Sequence, residues 1–487
     1  MAFDKKKLGI SALTGVIWKF SERVGAQLVT LIVQIILARL LSPEDYSVVG
    51  IISIFFAFCT VIITGGLNTA LIQKKDADIE DYSTVLHVSM LLAGVLFVFM
   101  YFAAPWIADL YDKAILVPAI RIMSLTFFIN AFTSVLGAYV SSNLQFKKSF
   151  FATLAGSVVS AIVGIGMAMK GFGPWALIAQ QMTNAACNAV TLYYMARLKF
   201  LFRISWNRFK QLFGYGSKIF VTSLISVAYD QINPLIIGLK FTTADLAYYT
   251  KGRSFPGLVN SSVNDTLSAV LFPVLAKVQD SMEDVLGVTR RYIKVSSYII
   301  FPAMVGLFAV ADSFVAGVLT EKWLPIVPYI RIFSFTYMFN IIQMGNLQAI
   351  KAIGRSDITL LLEILKKSIY FAIIAAFVFL SDSPIMLAAS GVLCTIVATI
   401  INTYPNRKLI GYSYRHQLSD LIPNFILSVL MGLVVMLVGR LPIPALPLLV
   451  IQVLVGGAAY VSLSVLFKNE SFFYLLRYVK PFLKRKS

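Results

Sequence analysis

The sequence predicts an all-α polytopic membrane protein: about 14 transmembrane helices, arranged as two parallel-repeat six-helix bundles plus a C-terminal helix pair. Three observations predict it. The chain has 487 residues, 58% of them hydrophobic and only 13% charged, with a mean hydropathy of +0.81; soluble domains do not have that balance. Apolar runs of ~20 residues, enough to cross a bilayer, follow one another along its whole length. A segment of the first half returns ~200 residues later.

The spans fall at 11–40, 46–70, 82–104, 115–141, 150–169, 174–196, 212–238, 250–276, 294–319, 325–350, 358–380, 385–404, 418–438 and 445–467. A net charge of +19 would suit a nucleic-acid partner, but the cations cluster in short loops, such as Lys147-Lys148 and Arg290-Arg291. Positive loops on the cytoplasmic side explain this better, so nucleic acid is not an expected partner and both termini are placed inside. The longest polar connectors, 197–211 and 277–293, are both on that side, and neither has room for a soluble catalytic domain.

The repeat fixes the organisation. Val117, Pro118, Ile120, Arg121, Ile122, Ser124 and Thr126 recur in the same order as Val327, Pro328, Ile330, Arg331, Ile332, Ser334 and Thr336, and Asn130 then meets Asn340. The turn Ser42-Pro43-Glu44-Asp45 matches Thr242-Thr243-Ala244-Asp245, Gly15 and Lys19 match Gly214 and Lys218, and Thr60, Thr64 and Asn68 line up with Asn260, Asn264 and Ser268. Six spans is an even number, so both copies run the same way, about an axis along the membrane normal. The expected units are a six-helix bundle over 1–196, a cytoplasmic linker over 197–211, a second bundle over 212–404, an added pair over 418–467 and a basic cytoplasmic tail over 468–487.

Polar stripes mark the opening helices of each half. On span one, Lys19, Glu22 and Arg23 share a face, and Ala26, Gln27, Thr30 and Gln34 continue it. A charge at mid-bilayer costs at least about 2.5–3.5 kcal/mol, so such residues face a bundle interior or a water-filled cavity. Span seven repeats the logic with Lys218, Thr222, Ser226, Asp230 and Asn233; span eight carries Lys251, Arg253, Asn260, Asn264 and Asp265. One cavity at the interface of the halves is expected, with a cationic lumen (Lys19, Arg23, Lys218, Lys251, Arg253) and a polar wall (Thr64, Asn68, Asn260, Asn264). Lys and Arg in excess suit an anion such as phosphate. Glu22, Asp230 and Asp265 are candidates for ion or proton coupling, and a proton, sodium or the membrane potential would all fit them. The competing reading has Lys218, Lys251 and Arg253 snorkel to an interface and Glu22 neutralise Arg23. Arg121 and Arg331 read as structural, and Glu363 with Lys366 and Lys367 as a local ion pair and anchor.

No phosphate-binding Gly-rich loop is present, and two isolated histidines (His87, His416) and three scattered cysteines (Cys59, Cys187, Cys394) form no metal or nucleophile pattern. No cofactor and no enzymatic activity are expected.

The stretch Leu37-Ala38-Arg39-Leu40-Leu41-Ser42-Pro43-Glu44-Asp45-Tyr46 resembles the turn after span one in the polysaccharide-transport branch of the multidrug/oligosaccharidyl-lipid/polysaccharide exporter superfamily. Leu271-Phe272-Pro273-Val274-Leu275-Ala276-Lys277 and Glu321-Lys322-Trp323 are similar to the Wzx-type flippases, above all the colanic-acid type. Ser47 departs from that pattern, where a Gly usually follows Asp-Tyr, without an expected functional consequence. The resemblance implies a flippase of the bacterial inner membrane. It would move an undecaprenyl-pyrophosphate-linked oligosaccharide by alternating access, among membrane lipids and other polysaccharide-assembly proteins. A cation-coupled drug antiporter would need a dominantly acidic lumen, a polymerase or glycosyltransferase a large outer loop or soluble domain, and a lipid II flippase differs only in substrate.

Overall fold

The computed structural model describes residues 25, 27, 29–74 and 76–483. All regular structure among them is helical. They form two compact units, one reaching to Ala247 and the other beginning at Tyr248.

The first unit contains α1 (Val29–Leu40), α2 (Pro43–Thr64), α3 (Leu67–Gln73), α4 (Ile79–Leu110), α5 (Leu116–Met123), α6 (Thr126–Ser142), α7 (Phe146–Met169), α8 (Pro174–Ala196) and α9 (Trp206–Lys240). Then α10 (Thr243–Lys277) leads into the second, with α11 (Met282–Phe314), α12 (Val327–Met338), α13 (Asn340–Ala352), α14 (Ser356–Leu380), α15 (Pro384–Leu409), α16 (Tyr414–Val438), α17 (Ala445–Leu466) and α18 (Glu470–Leu483). Each expected span after the first falls on one of these helices or on a consecutive pair. Ten helical segments among the described residues are long and apolar enough to cross a membrane. Three further long helices fall short for a physical reason: α8 carries a row of Gln and Asn, α10 carries Lys251, Arg253 and the polar run 260–265, and α14 carries Glu363, Lys366 and Lys367. The helices expose large apolar side chains outward, among them Leu91, Phe102, Trp106 and Phe379, as lipid-facing surfaces do. The core of the first unit joins Leu71, Tyr82, Val85, Leu136 and Leu212; that of the second joins Leu275, Ile293, Phe301, Met304 and Tyr412.

Repeat-related residues adopt matching local structure. Ser42 caps α2, its hydroxyl accepting from the Asp45 amide (3.2 Å) while the Asp45 carboxylate accepts from the Ser42 amide (2.9 Å). Thr242 and Asp245 repeat this box at 3.1 Å in both directions. Arg121 donates to the Tyr101 carbonyl (3.3 Å) and lies over the Tyr101 ring (4.1 Å). Arg331 treats Phe308 likewise, with its carbonyl at 3.5 Å and its ring at 5.5 Å, and adds an ion pair with Asp312. Both arginines therefore tie two helices of their own unit together. Glu363 and Lys366 pair at 2.6 Å.

One detail corrects the sequence reading, and a second adds to it. The polar row Thr60, Thr64 and Asn68 does not run along one helix. Gly65 and Gly66 both take left-handed φ (49° and 70°), ending α2 and starting α3, so Asn68 belongs to a separate segment. Ser47, moreover, has a structural role. It is fully buried, donates to the Glu44 carbonyl (2.6 Å), and accepts from the Lys113 ammonium (2.8 Å), which a glycine could not do. Burial pushes the Lys113 pKa down, and Glu44 and Asp45 offset part of that.

The linker between α8 and α9 is strapped to the start of α4. The Leu201 amide donates to Ser83 (2.9 Å) and the Ser205 amide to Thr84 (3.2 Å). Arg208 reaches Asp78 (2.7 Å), Glu80 (3.0 Å) and the buried Asp81 (3.1 Å), and Lys74 also pairs with Asp81 (2.7 Å). Arg208→Ala is expected to loosen this strap, seen as faster limited trypsin cleavage within 197–210 than in the parent protein. An unchanged cleavage rate would show that the two amide bonds hold the linker alone.

Candidate functional site

The cations at the start of α10 are positioned by the Thr242 capping box, which sets where the helix begins. Lys251 comes two turns later and is buried, only 5% exposed. Its ammonium lies 5.6 Å from the Phe255 ring and 5.9 Å from the Trp323 ring. Trp323 is itself wholly buried, with Tyr248 edge-on against it at 6.2 Å. Gly252 permits this closeness: a Cβ there would come within 2.5 Å of the Tyr329 Cβ. Arg253 is half-buried; its Nε donates to the Tyr337 hydroxyl (3.1 Å), and its guanidinium stands 6.0 Å from the Phe333 ring. Aromatic side chains thus stand against both cations in a helix of the second unit.

Further along α10, Asn260 and Asn264 lie one turn apart and half-buried. Their side-chain oxygens are buried and accept no hydrogen bond among the described residues, and the same holds for Asn68 on α3. Buried acceptors of this kind are rare unless water or a ligand serves them. Thr64 donates back to the Thr60 carbonyl (3.0 Å). In the first unit, Lys218, Thr222 and Asp230 form an exposed row on α9, with the Thr222 hydroxyl bonded to the Lys218 carbonyl (2.9 Å). Lys19, Glu22 and Arg23 lie outside the described residues, as does the side chain of Asp265.

Sequence reasoning missed a second polar feature. A cavity of about 540 Å³ in the first unit is walled by α2, α5, α6 and α8. Its amides include Gln180, Asn184 and Asn188, four residues apart and so on one face of α8. That spacing was readable in the sequence, but without charge the row looked like an ordinary span.

A family model described as Polysaccharide biosynthesis protein matches residues 36–328. The chain belongs to that family. It is 26% identical over 312 residues to the teichuronic acid biosynthesis protein TuaB of Bacillus subtilis (strain 168), covering 62% of this chain and 63% of TuaB, so the match spans less than two thirds of that relative. It is 23% identical over 418 residues to the lipopolysaccharide biosynthesis protein WzxC of Escherichia coli (strain K12), covering 82% of this chain and 83% of WzxC. Its fold is similar to that of the lipid II flippase MurJ in an inward closed conformation, with TM-score 0.75 at 16% identity over 93% of this chain and 98% of MurJ.

Proposed function

We propose that the protein is a flippase of the bacterial inner membrane. It moves an undecaprenyl-pyrophosphate-linked oligosaccharide repeat from the inner to the outer leaflet by alternating access, for surface polysaccharide synthesis. The observation that carries this reading is the pair Lys251 and Arg253, one buried and one half-buried in α10 and both walled by aromatic rings. Cations held so in a chain of this family and fold suit a pyrophosphate, to which arginine offers a planar fork and lysine a point charge. Lys218, Lys19 and Arg23 are assigned to the same charge role. The unserved acceptors of Asn68, Asn260 and Asn264, with Thr64, are assigned to sugar hydroxyls and water. Asp230, Asp265 and Glu22 are the acids proposed for ion or proton coupling. Both termini are placed in the cytoplasm, beside other assembly proteins.

Lipid extracts of a strain lacking the protein test this reading. A polyprenyl-pyrophosphate oligosaccharide is expected to accumulate as the surface polymer disappears. Accumulated lipid II would reassign the substrate. Altered tolerance of cationic drugs, with no lipid intermediate, would replace the reading with an antiporter.

A further inference from the structure

The cavity of the first unit has a distinct chemistry. Among the described residues, no side chain lining it is ionisable. Thr60 and Thr133 each donate to their own helix, to the carbonyls of Phe56 and Ile129 (both 2.8 Å), and so turn lone pairs toward the space between. Asn184 and Asn188 spend a donor on α7, at Ser160 (3.3 Å) and Thr153 (3.5 Å). Gln180, Gln181 and Asn130 make no hydrogen bond among the described residues. One aromatic ring, Phe56, joins the wall and is fixed by Phe127 at 4.6 Å.

The amides are held in place before any ligand arrives. Gly156, Ser160, Gly164 and Ala168 form a buried small-residue stripe on α7. A Cβ at Gly164 would lie 2.8 Å from the Gln180 Cβ, and one at Gly156 would lie 3.0 Å from the Asn184 carbonyl oxygen. Close helix approach through small residues locks α8 against α7 and sets the direction of its polar face.

Amide donors and acceptors, hydroxyl acceptors and one aromatic face, with no charge among the described lining residues, match the hydroxyls of a sugar. Among the described residues, a phosphate finds no cation there and a cationic drug no carboxylate. The volume is in the range of small-ligand pockets, with room for roughly two hexose rings. We infer that this cavity is a sugar-recognition subsite for uncharged hexose units of the transported oligosaccharide beyond the first sugar on the lipid, with Gln180, Gln181 and Asn130 setting its selectivity. The inference rests on the flippase reading above.

Proteoliposomes containing the full chain test it with two probes. One is the lipid-linked repeat extracted from the strain lacking the protein; the other is the same lipid carrying a single sugar. Exposure of sugar to a membrane-impermeant oxidant reports translocation. The double variant Asn130→Leu, Gln181→Leu is expected to slow the full repeat about tenfold, the loss from two neutral hydrogen bonds, while the single-sugar lipid moves at the parent rate. That unchanged rate also shows that the variant is assembled. Equal losses for both lipids, or none for either, overturn the inference and leave the flippase reading standing. A parent protein that moves neither lipid overturns both. Should the double variant fail to assemble, Gln181→Ala is read in the same way, with an expected loss of about threefold confined to the full repeat.

Discussion

Arg253→Ala abolishes export of the repeat unit while the protein reaches the membrane at its normal level. Among the contacts of Arg253 are the Tyr337 hydroxyl and the Phe333 ring, and neither is a core apolar contact whose loss would unfold α10. Charge-assisted hydrogen bonds contribute roughly 1.5–3 kcal/mol each, so losing two to a pyrophosphate lowers the rate by a hundredfold or more. Arg253→Lys keeps the charge but not the planar fork, and is expected to fall between the two. Tyr337→Phe removes only the hydroxyl that steadies Nε, and a mild loss is expected there. Surface polymer measured beside an immunoblot of membranes separates these outcomes. Full export by Arg253→Ala would remove this residue from the substrate path.

Gly66→Ala is expected to damage the first unit itself. At φ 70° an L side chain costs about 1–2 kcal/mol. Its Cβ would also lie 2.2 Å from the Gly216 carbonyl oxygen and 3.0 Å from the Ile219 Cβ, so α3 and α9 must separate. Overpacking of that kind adds about 1–3 kcal/mol. Gly65→Ala is the internal control. It has a similar backbone strain (φ 49°), but its nearest neighbour, the Ile62 carbonyl oxygen, is 3.4 Å away. Thermal unfolding in detergent should place Gly66→Ala well below Gly65→Ala, by ~5 °C or more. Equal midpoints would mean that the α3–α9 contact contributes nothing beyond the turn.

What could be read from the sequence was what short-range chemistry controls. The boxes at Ser42/Asp45 and Thr242/Asp245 are three-residue motifs, so their match across the repeat carried over into matching hydrogen bonds. Arg121 and Arg331 were legible as structural for the same reason, since each follows a helix-starting proline. The break at Gly65-Gly66 was hidden because the apolar run continues across it and hydropathy does not register φ. Lys251 showed only as a charge in a span, and the rings that wall it include Trp323, distant in sequence and brought there by folding. The α8 amides were overlooked because charge drew attention to α9 and α10, although Gln180, Asn184 and Asn188 had the same four-residue spacing as Asn260 and Asn264.

The most direct test of the central claim is translocation by the purified full chain. Proteoliposomes would carry the lipid-linked repeat, with the outer leaflet first oxidised by an impermeant reagent and the return of oxidisable sugar then followed in time. The flippase account predicts a steady return in vesicles with the parent protein, and a rate no higher than protein-free vesicles for Arg253→Ala. Return at the protein-free rate with the parent chain would contradict the account.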